Sequence, residues 1–369
     1  MNNRLDQLPS VLLFGPGPSP VAPSTYHALS QPTLGHLDPA FIEIMDEIKQ
    51  NLRILMGTQN TFTLPISGTG SAGMEAAFVN MIEPGDRVLV LVNGVFGNRM
   101  VDVATRLGAA VTALEFAWGT PVQPDQVAEQ LSKNHFKMVA MVHAETSTGV
   151  RNPAREVGEL VKNAGSYYLL DCVTSLGGIP VEVDNWGVDI CYSGTQKCLS
   201  CPPGLAPISF SDQAMKTITS RQRKVPNWYL DMNLLTSYWA GATRTYHHTA
   251  PINMIYGLYQ SLQNLFAEGI DNAFRRHSDA HQYLVDGLAA QGWQMLVDEP
   301  YRLPMLNAVV VPDGLDEKDL RAKLRSKYLI EVGSGLGALA GKVIRIGLMG
   351  YGAQRDNVDR LLAAMQDLK

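Results

Sequence analysis

Two residues have types and positions that could do chemistry together, Lys197 and Asp171. Lys197 lies in Cys191-Tyr-Ser-Gly-Thr-Gln-Lys-Cys198, just past an apolar run, and Asp171 ends Ser166-Tyr-Tyr-Leu-Leu-Asp171, 26 residues upstream. A lysine beyond a buried strand can form a Schiff base with a carbonyl, and a carboxylate ending a second strand can hold a protonated ring nitrogen. Pyridoxal phosphate needs both groups. Taken singly, the two also read as a surface lysine and a helix-capping aspartate.

Other segments could complete such a site. Ser67-Gly-Thr-Gly-Ser-Ala-Gly73 stands between a strand and a helix and fits G-x-G-x-x-G at Gly68, Gly70 and Gly73. That pattern also occurs in dinucleotide-binding dehydrogenases, but here it is not in a first βαβ unit and no acidic residue ends a following strand at the usual distance. Backbone N–H groups at a helix start, with the Thr69 and Ser71 hydroxyls, suit a phosphate. A tight turn without ligand is the plainer alternative. Phe96, in Asn93-Gly-Val-Phe-Gly97, could stack on a flat cofactor or simply pack in the core. Thr146, in His143-Ala-Glu-Thr-Ser-Thr-Gly-Val150, offers a hydroxyl to a ring oxygen or to its own turn.

Arg345 is a charged residue inside the apolar run Lys342-Val-Ile-Arg-Ile-Gly347. Its planar fork matches a carboxylate, and an internal salt bridge is the competing reading. His277 and His281 stand four apart beside Arg275 and Arg276, which reads as a solvated helix face rather than a metal site. Cys198-Leu-Ser-Cys201 has C-x-x-C spacing but no second pair, so buried thiols are expected and no metal.

The elements that must position these residues follow from hydrophobic periodicity. Seven strand candidates, Phe62–Ile66, Arg87–Val92, Ala110–Leu114, Met138–His143, Tyr167–Asp171, Ile190–Tyr192 and Leu205–Phe210, alternate with helical segments near 71–81, 97–107, 123–133 and 154–164. Such alternation implies a mostly parallel sheet covered on both faces, with ligands at the carboxyl ends of its strands. Asp38 to Met56 reads as an amphipathic helix, and Ile252 to about Ala290 as a helical stretch leaving this domain. The remainder mixes strands (Asn307–Val311, Val343–Gly347) with helices (Glu317–Ser326, Arg355–Asp367). The expected division is an irregular arm over 1–20, a large domain over 21–260 and a small α+β domain over 261–369.

Composition bounds the rest. At 369 residues, 46% hydrophobic and 18% charged, the chain can bury a large core and is too apolar for disorder. A formal charge of −5 gives no footprint for nucleic acid. No apolar run nears the roughly 18 residues of a membrane span, and neither end reads as a targeting signal, so a cytoplasmic protein is expected.

In order, these motifs resemble the class V aminotransferases of fold type I, within them the alanine–glyoxylate and serine–pyruvate group. Phe14-Gly-Pro-Gly-Pro18, Ser67 to Ser71, Glu145 to Gly149, Asp171 to Gly178, Tyr192 to Lys197 with Pro202-Pro-Gly204, Tyr246-His-His-Thr249 and Arg345-Ile-Gly-Leu348 carry the resemblance over nearly the whole chain. It implies an α/β/α sandwich around a seven-stranded sheet with a smaller C-terminal domain. It also implies transamination of a small 2-amino acid, with glyoxylate or pyruvate as acceptor. Lys197 would bind pyridoxal phosphate covalently and Asp171 would pair with its ring nitrogen. Thr69, Gly70, Ser71 and Gln196 would line the phosphate site, Thr146 would meet the ring oxygen, and Arg345 the substrate carboxylate. Tyr246 and Thr249 would reach the cofactor of a partner subunit in a homodimer. Phe96 stands where animal members carry tryptophan, and Ser71 where they carry histidine. A 2-aminoethylphosphonate transaminase is a neighbouring alternative; a cysteine desulfurase is disfavoured because no cysteine follows Cys201.

Overall fold

The computed structural model describes residues 3–239 and 244–368; Met1, Asn2 and Lys369, at the ends of the expected arm and small domain, lie outside it. Two sheets organise the chain. The smaller contains β1 (Leu12–Phe14), and the larger begins with β2 (Phe62–Ser67), β3 (Arg87–Val92), β4 (Ala110–Glu115) and β5 (Met138–Val142). A two-stranded hairpin, β6 (Ala144–Glu145) and β7 (Val150–Arg151), leads on to β8 (Tyr167–Asp171), β9 (Ile190–Tyr192) and β10 (Leu205–Phe210) of the larger sheet. The smaller sheet is completed by β11 (Gln294–Met295), β12 (Leu306–Val310), β13 (Ile330–Ser334) and β14 (Val343–Gly347).

The seven-stranded sheet runs β2-β10-β9-β8-β5-β3-β4, parallel throughout except that β10 is antiparallel to both neighbours. Every residue of Val88–Val92 and of Met138–Val142 is buried. Successive side chains point to opposite faces, so both faces must be covered, which explains the unbroken Val/Leu/Met runs. Helices α1 (Pro23–Leu29), α2 (Pro39–Met56), α3 (Gly70–Met81), α4 (Val95–Arg106), α5 (Pro124–Lys133), α6 (Ala154–Asn163), α7 (Asp212–Thr219) and α8 (Met232–Trp239) come from this first part of the chain. α2 shows the local logic. Asp38 accepts the Ala40 amide at 2.9 Å, Pro39 opens the first turn, and Phe41, Met45, Ile48, Leu52 and Leu55 bury one face. Gly57 stops it in a left-handed conformation, φ 60°, where an added Cβ would sit 3.0 Å from the Val181 carbonyl.

The helical stretch from Ile252 to Ala290 is two helices, α9 (Ile252–Glu268) and α10 (Ile270–Ala290). Gly269, φ 87°, breaks it, its amide turning back to the carbonyls of Leu265 and Phe266. α10 spans two cores, Ala273 packing in the first and Ala280, Leu284 and Leu288 in the second. α11 (Glu317–Tyr328) and α12 (Arg355–Asp367) complete the second core beneath the sheet β1-β13-β14-β12-β11.

Two expectations need correction. Leu12–Phe14 is a strand, parallel to β13, within a stretch expected to be irregular; three residues are too short to show a period. His277 does not lie on a solvated face: it is fully buried, between Ala273 and Gly350.

Candidate active site

The carboxyl ends of β5, β8 and β9 open onto one cavity. Thr69, Gly70, Ser71, Phe96, Thr146, Asp171, Gln196 and Lys197 line it, with Met74, Arg99, Val142, Val173 and Tyr192. Eight residues singled out from sequence therefore meet in space.

Lys197 lies within the irregular segment between β9 and β10. Ser193 Oγ donates to the Cys172 carbonyl at 3.0 Å and Thr195 Oγ1 to the Pro202 carbonyl at 2.7 Å, fixing the path of that segment. The Lys197 carbonyl accepts from Ser19 Oγ at 2.6 Å and from the Ser200 amide at 3.0 Å. Its ammonium group donates to the Pro16 carbonyl. Gly17, φ 112°, lets the chain pass here: a Cβ would lie 2.7 Å from Nζ. Burial, then the nearby positive charge of Arg345, lowers the Lys197 pKa to about 8. Both favour the free amine, the form that attacks carbonyls.

Asp171 ends β8. Oδ2 accepts from the Tyr192 hydroxyl at 2.6 Å and Oδ1 from the Val173 amide at 2.8 Å. Burial raises its pKa to about 6, against the pull of those two bonds and of Lys197. The carboxyl is thus poised for a cationic partner that would restore its full charge.

The phosphate-like corner is the start of α3. Thr69 makes no side-chain cap, and Gly70 is held so close that a Cβ would meet Val173 at 3.2 Å. The first N–H groups of this 12-residue helix therefore face the cavity without the usual side-chain acceptor. Gln196 Oε1 is buried beside them with no partner.

Phe96 is placed by Glu145. The Glu145 carboxyl accepts from the Ser147 hydroxyl at 2.6 Å, its amide at 3.0 Å and the Gly97 amide at 3.4 Å, while Ser147 Oγ accepts from the Val95 amide at 2.9 Å. Together they cap α4 from the hairpin side. Arg99, one turn along, sets its guanidinium over the Phe96 ring, 4.9 Å from its centre. Thr146 Oγ1 lies 2.6 Å from Thr174 Oγ1.

Arg345 is buried in the smaller sheet. Nε donates to the Ser334 carbonyl at 2.7 Å and Nη1 to the Thr146 carbonyl at 3.0 Å. Among the described residues no carboxylate forms an ion pair with it, so the salt-bridge alternative has no support. Of five N–H donors, two are engaged, leaving an edge for an anion.

Tyr246 and Thr249 are not drawn into the cavity of one chain. Tyr246 is exposed, its hydroxyl 3.4 Å from Thr249 Oγ1 and its ring 5.0 Å from that of His36. Cys198 and Cys201 are buried thiols, each raised to about 12 by burial. Sequence reasoning missed Arg99, and it gave Tyr192 and Glu145 no role. Tyr192 and Glu145 lie inside quoted motifs, but only the fold turns them toward Asp171 and Phe96.

A buried lysine with a lowered pKa and a buried carboxylate share one cavity with a helix N-terminus on a doubly covered α/β sheet, and a buried arginine without a carboxylate partner lies on the adjoining smaller sheet, a set of groups suited to amine–carbonyl chemistry. Comparison with known proteins identifies the family. Residues 23–361 match the family described as aminotransferase class-V. Alanine–glyoxylate aminotransferase of Callithrix jacchus is 41% identical over 363 residues, 98% of this chain and 88% of that protein. A crystal structure of alanine–glyoxylate aminotransferase from Nostoc sp. superposes with TM-score 0.96 at 46% identity, covering 100% of this chain and 99% of that one. The ureidoglycine–glyoxylate aminotransferase of Bacillus subtilis also gives TM-score 0.96, at 37% identity over 98% and 93% of the two chains. The chain belongs to the class V aminotransferase family, and it is an aminotransferase. Among the described residues no helix is long and apolar enough to cross a membrane.

Proposed function

We propose that the enzyme moves the amino group of a small 2-amino acid, alanine or serine, to glyoxylate or pyruvate, using pyridoxal phosphate held at Lys197. The observation that carries this is the cavity itself, where the Lys197 amine, the Asp171 carboxylate and the bare start of α3 share one wall set. The residues fit the cofactor. The uncapped amides at Gly70 and Ser71 suit its phosphate, with the Thr69 and Ser71 hydroxyls and the Gln196 side-chain NH2 as further donors along the same wall. Phe96 offers a ring face, Thr146 a hydroxyl, and Asp171 a negative charge for the ring nitrogen. When bound, pyridoxal phosphate supplies an aldehyde for the amine and a ring that withdraws electrons from the substrate's Cα.

The chain's own residues do the rest. Lys197 Nζ takes the proton from the substrate Cα and later gives it up, which its lowered pKa allows near neutral pH. Asp171 stays ionised and raises the proton affinity of the ring nitrogen beside it. The open edge of Arg345 holds the substrate carboxylate through two N–H bonds. Amino donor and oxo-acid acceptor both carry that carboxylate, so one anchor serves both half-reactions.

A homodimer follows from the same reading. Trp228, Tyr229 and Tyr246 are large exposed rings, and Tyr229 donates to the Ser67 carbonyl at 3.2 Å at the edge of the α3 loop. A second copy docked on this rim would bring Tyr246 and Thr249 to its neighbour's phosphate corner. Mixing inactive Lys197→Ala and Tyr246→Ala chains should then restore activity in hybrid dimers, where one site keeps both groups. The donor is tested by offering alanine, serine and (S)-ureidoglycine against glyoxylate and pyruvate. Full transamination by Lys197→Ala would sink the whole assignment.

A further inference from the structure

Lys197 lies in the segment between two strands of the larger sheet and Arg345 in a strand of the smaller, and one network ties their backbones together behind the cavity. Gly350 and Tyr351 follow β14, which carries Arg345. The Tyr351 amide donates to Ser200 Oγ at 2.6 Å, and the Gly350 amide donates to His277 Nε2 at 2.9 Å. The Gly350 carbonyl accepts from Arg276 Nη1 at 2.6 Å, and Arg276 is itself clamped by Glu268 at 2.6 and 2.8 Å. His277 Nδ1 donates to the Ala273 carbonyl at 2.6 Å, leaving Nε2 bare as an acceptor. On the other side the Ser200 amide donates to the Lys197 carbonyl at 3.0 Å.

Ser200 is a non-glycine residue at φ 52°. Such a conformation is costly and persists where the surroundings over-determine it. Here it faces the Tyr351 amide. Gly350 cannot carry a side chain, because a Cβ would fall onto Ser200 and 2.7 Å from the Cys198 carbonyl. His277 is buried on α10 between the two cores, so it ties the Arg345 loop to the helix that crosses both. Neither Ser200 nor His277 lines the cavity.

We propose that Ser200 and His277 are positioning residues that set the spacing between Lys197 and Arg345. The proposal rests on the roles given to those two residues above. A substrate whose carboxylate sits on Arg345 presents its Cα to Lys197 Nζ at a distance decided by this network. Proton transfer needs near contact, and a displacement of about 1 Å can cost on the order of 100-fold in rate. Binding of the carboxylate, by contrast, needs only Arg345.

The test uses three variants at Ser200 and two at His277, each in the cofactor-loaded enzyme. Ser200→Gly removes the hydroxyl and relieves the backbone; Ser200→Ala removes the hydroxyl alone. Ser200→Asn tolerates positive φ and returns a side-chain oxygen. The expected result for the first two is a kcat about 10- to 100-fold lower, with KM for the amino donor within about threefold of wild type. The isotope effect from deuterium at the donor Cα should rise, because proton transfer becomes limiting. The lysine-bound cofactor's absorbance should stay, and Ser200→Asn should recover most of kcat. His277→Leu should show the same split and His277→Gln, which keeps an acceptor, a smaller one. If Ser200→Ala does not fold, Ser200→Gly, free of the backbone demand, decides the matter. A folded Ser200→Gly enzyme with wild-type kcat and isotope effect overturns the proposal. Activity surviving in Lys197→Ala would instead overturn the reading of the site, so the two failures are distinct.

Discussion

Changing Tyr192 to phenylalanine removes a single hydroxyl, the one that donates to Asp171 Oδ2 at 2.6 Å. Burial pushes the Asp171 pKa from its ordinary 3.8 up to about 6, and this bond is the largest effect holding it down. A hydrogen bond to a buried charge contributes about 1.5–3 kcal/mol, and about 1.4 kcal/mol corresponds to one pH unit. Tyr192→Phe should therefore raise the Asp171 pKa by about one to two pH units further. The sign follows from linkage. A carboxyl whose native pKa lies above its unfolded value holds a proton in the native state that the unfolded chain has lost. Stability of the cofactor-free protein therefore falls as pH rises from 3.8 to about 6, then levels. In Tyr192→Phe the fall continues beyond that point, so the variant matches wild type near pH 5 and is weaker by about 1.5–3 kcal/mol near pH 8.5. Urea unfolding of both cofactor-free proteins at the two pH values measures it. Equal destabilisation at both would show that the hydroxyl does not act through the Asp171 charge, and would refute the reasoning.

Three further outcomes are expected. Capture of the cofactor by cofactor-free enzyme requires the unprotonated Lys197, so its rate should rise about tenfold per pH unit and level above about 8. Arg345→Gln, by removing a neighbouring positive charge, should move that plateau upward; stopped-flow absorbance reads both. Arg345→Lys should raise KM for amino donor and oxo-acid alike by about 10- to 100-fold, since one ammonium cannot make the paired bonds, while cofactor affinity stays near wild type. Gly17→Ala places a Cβ 2.7 Å from Lys197 Nζ at φ 112°, and equilibrium dialysis should find cofactor retention sharply reduced in protein that still folds. Wild-type retention would mean that the Pro16–Gly17 turn does not hold the lysine.

Much of this was legible in the chain. The seven strands of the large sheet were predicted within a residue or two because parallel strands buried on both faces leave continuous apolar runs bounded by glycines and polar turns. Lys197, Asp171 and the Gly68 loop stand out because a lysine just past an apolar strand, a strand-end carboxylate and a glycine-rich helix start have local signatures. Leu12–Phe14, β13 and helices α7 and α8 were not anticipated. They are short or weakly patterned, and β1 is a strand only because β13 pairs with it.

Sequence by itself determined the family, the fold class and which side chains could do chemistry, since each depends on residue type and local order. Tertiary structure decided what those side chains are. Asp171 departs from an ordinary carboxyl because burial and Tyr192 act on it together, and Lys197 is an available amine because it is buried near Arg345. His277, which looked solvent-facing beside two arginines, is buried because α10 crosses between two cores. Charge state and spacing depend on neighbours distant in the chain, and only folding brings those neighbours into place.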